Sequence, residues 1–194
     1  MKISNKALIN ELQEGLEECV QSVKQLTQLD PEILMWKENP DSWNALECIE
    51  HLNMYGDFYI PEIRKRIQSV TPGNNPESLN FKYSWWGNYF ANAVAPRPEA
   101  ELNKMNAFKK LNPISKPLDI SVLDKFLKQQ DELKELLNQA EKIDLNKVRT
   151  DSTIPMVRLR LGDTIRVEIL HNQRHVRQAC RTVKRLKEYQ LQVH

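Results

Sequence analysis

Residues 161–186 read LGDTIRVEILHNQRHVRQACRTVKRL, and this stretch decides the fold. Ile165, Ile169, Val176, Cys180 and Val183 recur at the spacing of one face of an α-helix. Arg, Glu, Gln and Asn recur between them, so the helix is amphipathic rather than apolar all round. Gly162 or Asp163 is its expected start, and it continues to about Tyr189.

The same periodicity returns earlier in the chain. Leu8, Leu12, Leu16, Cys19, Val23 and Leu26 predict a helix from about Asn5 to Leu29, ended by Asp30-Pro31. A second helix follows Asn39-Pro40-Asp41-Ser42 and runs to about Ser69. Asp41 or Ser42 caps it, Trp43 lies in its first turn, and Ala45, Cys48, Leu52, Tyr55, Tyr59 and Ile63 form its stripe. Pro61 predicts a kink there. A third runs from Asp119 to about Ile143, with Val122, Leu123, Phe126, Leu133, Leu136, Leu137 and Ala140 on one side and Ser121 with Asp124 resembling a capping box.

Between the second and third helices, residues 70–118 read as a long crossover rich in proline, with a short helix over Ser84–Ala95. A structureless link of that length is unusual, so it is expected to pack over one end of the bundle. A loop with Pro155 and the basic run Arg158–Arg160 joins the third helix to the last. These elements predict an all-α fold, one domain over residues 1–194, built as a four-helix bundle of the crossover type.

Composition excludes several classes. With 28 Lys+Arg against 26 Asp+Glu the net charge is +2, which gives no reason to expect nucleic acid or an anionic membrane as partner. No run of about 18 apolar residues predicts a membrane span. The start, MKISNKALINELQEG, lacks the apolar core of a signal peptide. The three cysteines Cys19, Cys48 and Cys180 are far apart, an arrangement that suits a reducing, cytoplasmic setting.

Chemistry concentrates on histidine. His171 and His175 sit four apart on the last helix, so their imidazoles share a face. His51 lies beside the apolar stripe of the second helix, and a bundle could bring the three together. Three neutral imidazoles suit Zn²⁺, Ni²⁺, Fe²⁺ or Cu²⁺ and leave a position for water or substrate. The alternative is a partly exposed surface pair, since the pair lies at the edge of its helix's apolar arc; the same placement suits an open cleft. Glu47 and Tyr55 flank His51, and Glu168 and Gln178 flank the pair; each is a candidate to orient an imidazole or act as general base, though none is assigned a catalytic role. Cys48 and Cys180 fall on apolar stripes and read as core. Trp85 and Trp86 line a pocket or simply pack the crossover.

The stretch SWNALECIEHLNMYGDFYIPEI with Trp43 and His51, the stretch SVLDKFLKQQDELKELLNQAEKIDLNKVR, and the last helix with its H-x3-H pair followed by Gln178 together resemble the DinB/YfiT-like superfamily. The resemblance covers nearly the whole chain. It implies an up-down-down-up bundle, a nickel or zinc ion (iron or manganese as other candidates) held by His51, His171 and His175, and a homodimer. Its relatives include transferases of low-molecular-weight thiols and proteins described only as metal-dependent hydrolases. The expectation is therefore a divalent-metal-dependent hydrolase or thiol transferase acting on a small molecule. The alternative is a non-catalytic metal-binding or dimerisation bundle of stress-response type.

Overall fold

The structure is a computed structural model that describes residues 2–71, 78–98, 108–114 and 116–193. Among them, the elements in chain order are β1 (Lys2–Ser4), α1 (Asn5–Leu26), α2 (Pro31–Met35), α3 (Ala45–Gln68), β2 (Asn80–Lys82), α4 (Trp85–Val94), a 3-10 turn at Lys109–Leu111, α5 (Ser121–Ala140), β3 (Arg149–Asp151), β4 (Arg158–Arg160) and α6 (Leu161–Val193). The fold is all-α, with two small strand pairs added. No helix among the described residues is long and apolar enough to cross a membrane.

The four long helices form the bundle. α3 packs on α5 and α6, and α1 packs on the same two from the other side. Side-chain pairs give the directions. Lys125 reaches Asp57 and Glu132 meets Arg64, so α5 and α3 run parallel. Gln13 meets Asn138 and Glu17 meets Lys134, so α1 and α5 run antiparallel. A parallel pair of consecutive long helices needs a long connection, which the stretch from 70 to 118 supplies.

Local chemistry corrects several boundaries. Pro31 does not merely follow the first helix; it sits in the first turn of α2, where its missing N–H costs no hydrogen bond. The cap of α3 is Asn44, not Asp41 or Ser42. Its Oδ1 accepts from Glu47 N at 2.8 Å while Glu47 Oε2 accepts from Asn44 N at 2.9 Å, and Trp43 therefore precedes the helix. This reciprocal box satisfies two donors that a helix start otherwise leaves unpaired. α3 is continuous through Pro61. Ser121 does not form a box with Asp124; instead Asp119 Oδ1 accepts from Ser121 N at 2.8 Å.

The short helix of the crossover is present as α4, capped by Ser84, whose Oγ accepts from Gly87 N at 2.8 Å. It lies against the start of α6: a Cβ at Gly87 would fall 2.0 Å from the Asp163 carboxyl, so only glycine allows this approach. Two strand pairs were not expected from the sequence. β1 pairs antiparallel with β2, Ile3 opposite Phe81. β3 pairs antiparallel with β4, Thr150 opposite Leu159, and this hairpin replaces the predicted loop.

The interior divides into two apolar clusters. One gathers Leu8, Ile9, Ile63, Phe81, Leu137 and Ile165 with their neighbours. The other gathers Val23, Leu34, Cys48, Ile49, Phe126 and Val176 with theirs. Asn53, Gln129, Gln130, Glu168 and Asn172 are buried as well, a set of polar side chains inside the bundle. Gln129 Nε2 donates to Asn53 O at 3.1 Å, Asn53 Nδ2 to Val122 O at 3.0 Å and Asn172 Nδ2 to Gln130 Oε1 at 3.2 Å.

Candidate metal centre

α3 and α6 cross so that His51 meets His171 and His175. The ring centroids lie 5.1 Å apart for His51 and His171, 4.7 Å for His51 and His175, and 4.7 Å for His171 and His175. One nitrogen from each ring lies within 4.8 Å of the other two, and among the described residues no other group of His, Cys, Asp or Glu converges in this way. The helical spacing brings the pair together, and the antiparallel packing of α6 on α3 adds the third ring.

His51 and His171 are buried, at 3% and 7% exposure, and only His175 is partly open. The edge position of the pair on its own helix is thus covered by α3 and its surroundings. The site is more enclosed than that position alone suggests.

Two of the three rings are oriented through their far nitrogen. His51 Nδ1 lies 2.6 Å from Leu111 O, an acceptor, so Nδ1 carries the proton and Nε2 is left with its lone pair. His175 Nδ1 lies 2.9 Å from Gln178 Oε1, which fixes the same tautomer. A partner on the second nitrogen is how metal-ligating histidines are usually held. Burial pushes the His51 pKa down to about 4, against the raising effect of its bond to Leu111. Burial first, then the charge of His51, takes His175 to about 3. His171 is held well below the usual histidine value by burial and by both other histidines. All three are neutral at pH 7, the form that ligates.

Trp43 and Tyr55 wall the group. The Trp43 ring sits 4.7 Å from His51 and 5.7 Å from His175, and Tyr55 sits 4.9 Å from His51 and 4.5 Å from His171. Trp43 Nε1 donates to Asn112 Oδ1 at 3.2 Å. The crossover therefore covers this end of the bundle through Leu111 and Asn112. Leu111 was missed in the sequence, because it contributes a backbone carbonyl and leaves no side-chain signal.

The other candidates separate. Gln178 orients His175, and Tyr55 touches two rings. Glu47 does neither; it closes the α3 capping box and pairs with Lys37 Nζ at 2.8 Å. Glu168 is 2% exposed, with Oε2 unpartnered, and burial raises its pKa to about 8, so at neutral pH it is largely protonated. Tyr59 shares its surroundings and bonds the Thr153 backbone N–H at 3.3 Å. Cys48 is core, its thiol pushed up by burial, and Cys180 borders the same cluster. Trp85 and Trp86 are 70% and 58% exposed on α4 and stack with Tyr89 and Phe90 rather than with the histidines.

The residues fit a divalent ion. The donor set is three neutral imidazoles, two with their tautomer set to present Nε2. No curated protein and no solved structure matches the chain. The family model described as DinB superfamily matches residues 16–179, which include all three histidines. By that match, over most of its length, this chain belongs to the DinB superfamily.

Proposed function

We propose that the protein is a divalent-metal-dependent enzyme acting on a small molecule, with His51, His171 and His175 as ligands to one zinc or nickel ion. The observation that carries this reading is the convergence of three ligating nitrogens within 4.8 Å. Such an ion supplies Lewis acidity, lowering the pKa of a water or a thiol that reaches it.

The chain's own residues do the rest. The Leu111 carbonyl and Gln178 hold two imidazoles with Nε2 facing inward. Trp43 and Tyr55 keep bulk water from the rings on two sides. His175, the partly open ligand, marks the side of approach. Among the described residues no carboxylate joins the histidine group, and Glu168 is protonated near neutral pH, so no ionised base stands ready for water. A hydroxide or a thiolate formed on the ion would itself be the nucleophile, so the site serves hydrolysis and thiol transfer alike. The reading includes a reducing, cytoplasmic location, which the free thiols of Cys19, Cys48 and Cys180 support, and a homodimer.

The test is a cobalt- or nickel-loaded sample titrated with a low-molecular-weight thiol. The reading expects the ligand-field spectrum to shift and the thiol to be consumed with monobromobimane. An unchanged spectrum with no consumption rules the transferase out.

A second reading rests on packing. Two cavities of about 270 and 200 Å³ lie elsewhere, one lined by Arg66, Val148 and Arg158, the other by Leu8, Gly15 and Gln173, and neither reaches a histidine. On this reading the ion only clamps α3 to α6 in a non-catalytic bundle. Full coordination by protein, with no exchangeable water on the ion, supports it.

A further inference from the structure

The basic run Arg158–Arg160 forms the second strand of the β3–β4 hairpin, and strand side chains alternate between two faces. Thr150 and Leu159 turn inward and are buried. Arg149, Asp151 and Arg158 therefore share the outer face, with Asp151 opposite Arg158 in the register. The last turns of α3 reach this face, where Arg66 Nη2 donates to Asp151 Oδ2 at 2.9 Å.

A cavity of about 270 Å³ opens at this junction, lined by Arg66, Val70, Lys147, Val148, Arg149 and Arg158. No carboxylate is among the described residues that line it. The acids stand behind the cations. Asp151 Oδ1 lies 2.9 Å from Arg158 Nε, and Glu62 Oε1 accepts from Arg66 Nε at 2.7 Å. These contacts fix two guanidiniums and use only part of their donors. Arg66 keeps Nη1, and Arg158 keeps both terminal nitrogens. Lys147 meets Asp144 at 3.5 Å with its side chain 85% exposed, a pair that holds little. Among the described residues Arg149 has no ion pair.

Pairing with Asp151 and Glu62 accounts for Arg66 and Arg158. It does not account for Arg149, nor for a cavity walled by four cations. A guanidinium held from behind presents its remaining N–H groups as a fork that matches the oxygens of a phosphoryl or carboxylate group. Val70 and Val148 add an apolar wall for the rest of a small molecule. His51 and Arg66 are fifteen residues apart on α3, about 22 Å along the helix axis, so this place is remote from the histidines.

We infer that this cavity is a binding site for a small molecule carrying a phosphoryl or carboxylate group. Arg66, Arg149 and Arg158 hold the oxyanion, with Lys147 beside them. The site goes beyond the enzymatic reading and does not depend on it. An anion there ties the end of α3 to the hairpin.

The experiment is calorimetric titration of inorganic phosphate and of malonate at fixed ionic strength. Each is added to the protein as purified and after chelator treatment. The variants are Arg149→Gln, which breaks no ion pair, and Arg149→Gln/Arg158→Gln. Lys184→Gln/Lys187→Gln removes two exposed cations near the end of α6 and serves as control. Far-UV circular dichroism checks each fold, and Arg149→Gln alone decides the matter if the double variant does not fold. The proposal expects saturable binding of about one anion per chain, the same with and without chelator. It expects binding to weaken about threefold or more in Arg149→Gln and about tenfold or more in the double variant, and to be unchanged in the control. Binding of phosphate alone assigns a phosphoryl group, of malonate alone a carboxylate, and of both the shared chemistry. No saturable binding, or equal binding in wild type and the arginine variants, overturns the site. Binding that is lost with the chelator also overturns it, because the anion then sits on the metal, and that result leaves the histidine centre standing.

Discussion

The two ends of the bundle interior are built on different terms. At the hairpin end, Ile9, Ile63, Leu137, Ile165 and Phe81 fill the space with apolar side chains, and little there could react. At the other end, an apolar cluster of similar kind sits beside three imidazoles, a tryptophan and a tyrosine. The same four helices supply both ends. The hairpin end derives its stability from close packing, whereas the histidine end gives up part of that packing to hold polar rings in one geometry. Glu168 and Asn172, on the same stretch of α6 as the ligands, each keep a buried oxygen without a partner, and the hairpin end bears the same kind of cost at Asn5 Oδ1, Arg160 Nε and Asp163 Oδ2.

Substitutions can break this comparison. Ile63→Ala, at 0% exposure, should cost about 2–5 kcal/mol in denaturant unfolding, because it empties a packed site. Its bound metal per folded chain should be unchanged. If metal falls with stability, the two ends are not separable.

Glu168 gives a pH signature. Its folded pKa is raised to about 8 by burial, against about 4.3 in an unfolded chain. Above the lower value the unfolded chain loses this proton while the folded chain keeps it. Stability from this group is therefore full below about pH 4.3, declines as pH rises toward 8, and is level beyond. Thermal melts of metal-free protein between those limits should show this decline, and Glu168→Gln should remove it. An identical slope in both proteins would contradict the assignment.

Asn44→Ala sharpens the comparison at the smallest scale. It removes the capping box of α3, the helix that carries His51, and should cost about 1 kcal/mol. A loss of metal affinity beyond that stability change would show that the cap also positions His51.

Much of the fold was legible because four stripes repeat over many turns. Ser121–Ala140 and Leu161–Val193 each place apolar residues at steady three- and four-residue steps, and no strand pattern competes. The hairpin was not legible, since three-residue strands such as Arg158–Arg160 are too short to show alternation. β1 and β2 pair across most of α1 and α3, a contact that no local window contains. At the site, His171 and His175 were visible as a pair, whereas their junction with His51 depends on how α3 packs against α6. Glu47 misled because one turn from His51 is also the third position after Asn44, and the capping box claims it.

The most direct measurement is the metal content of tag-free protein, by elemental mass spectrometry, for wild type and His171→Ala. The account predicts close to one zinc or nickel per chain in the first and close to none in the second, with the variant still folded. Wild type without metal, or a variant that keeps it, would contradict the three-histidine centre.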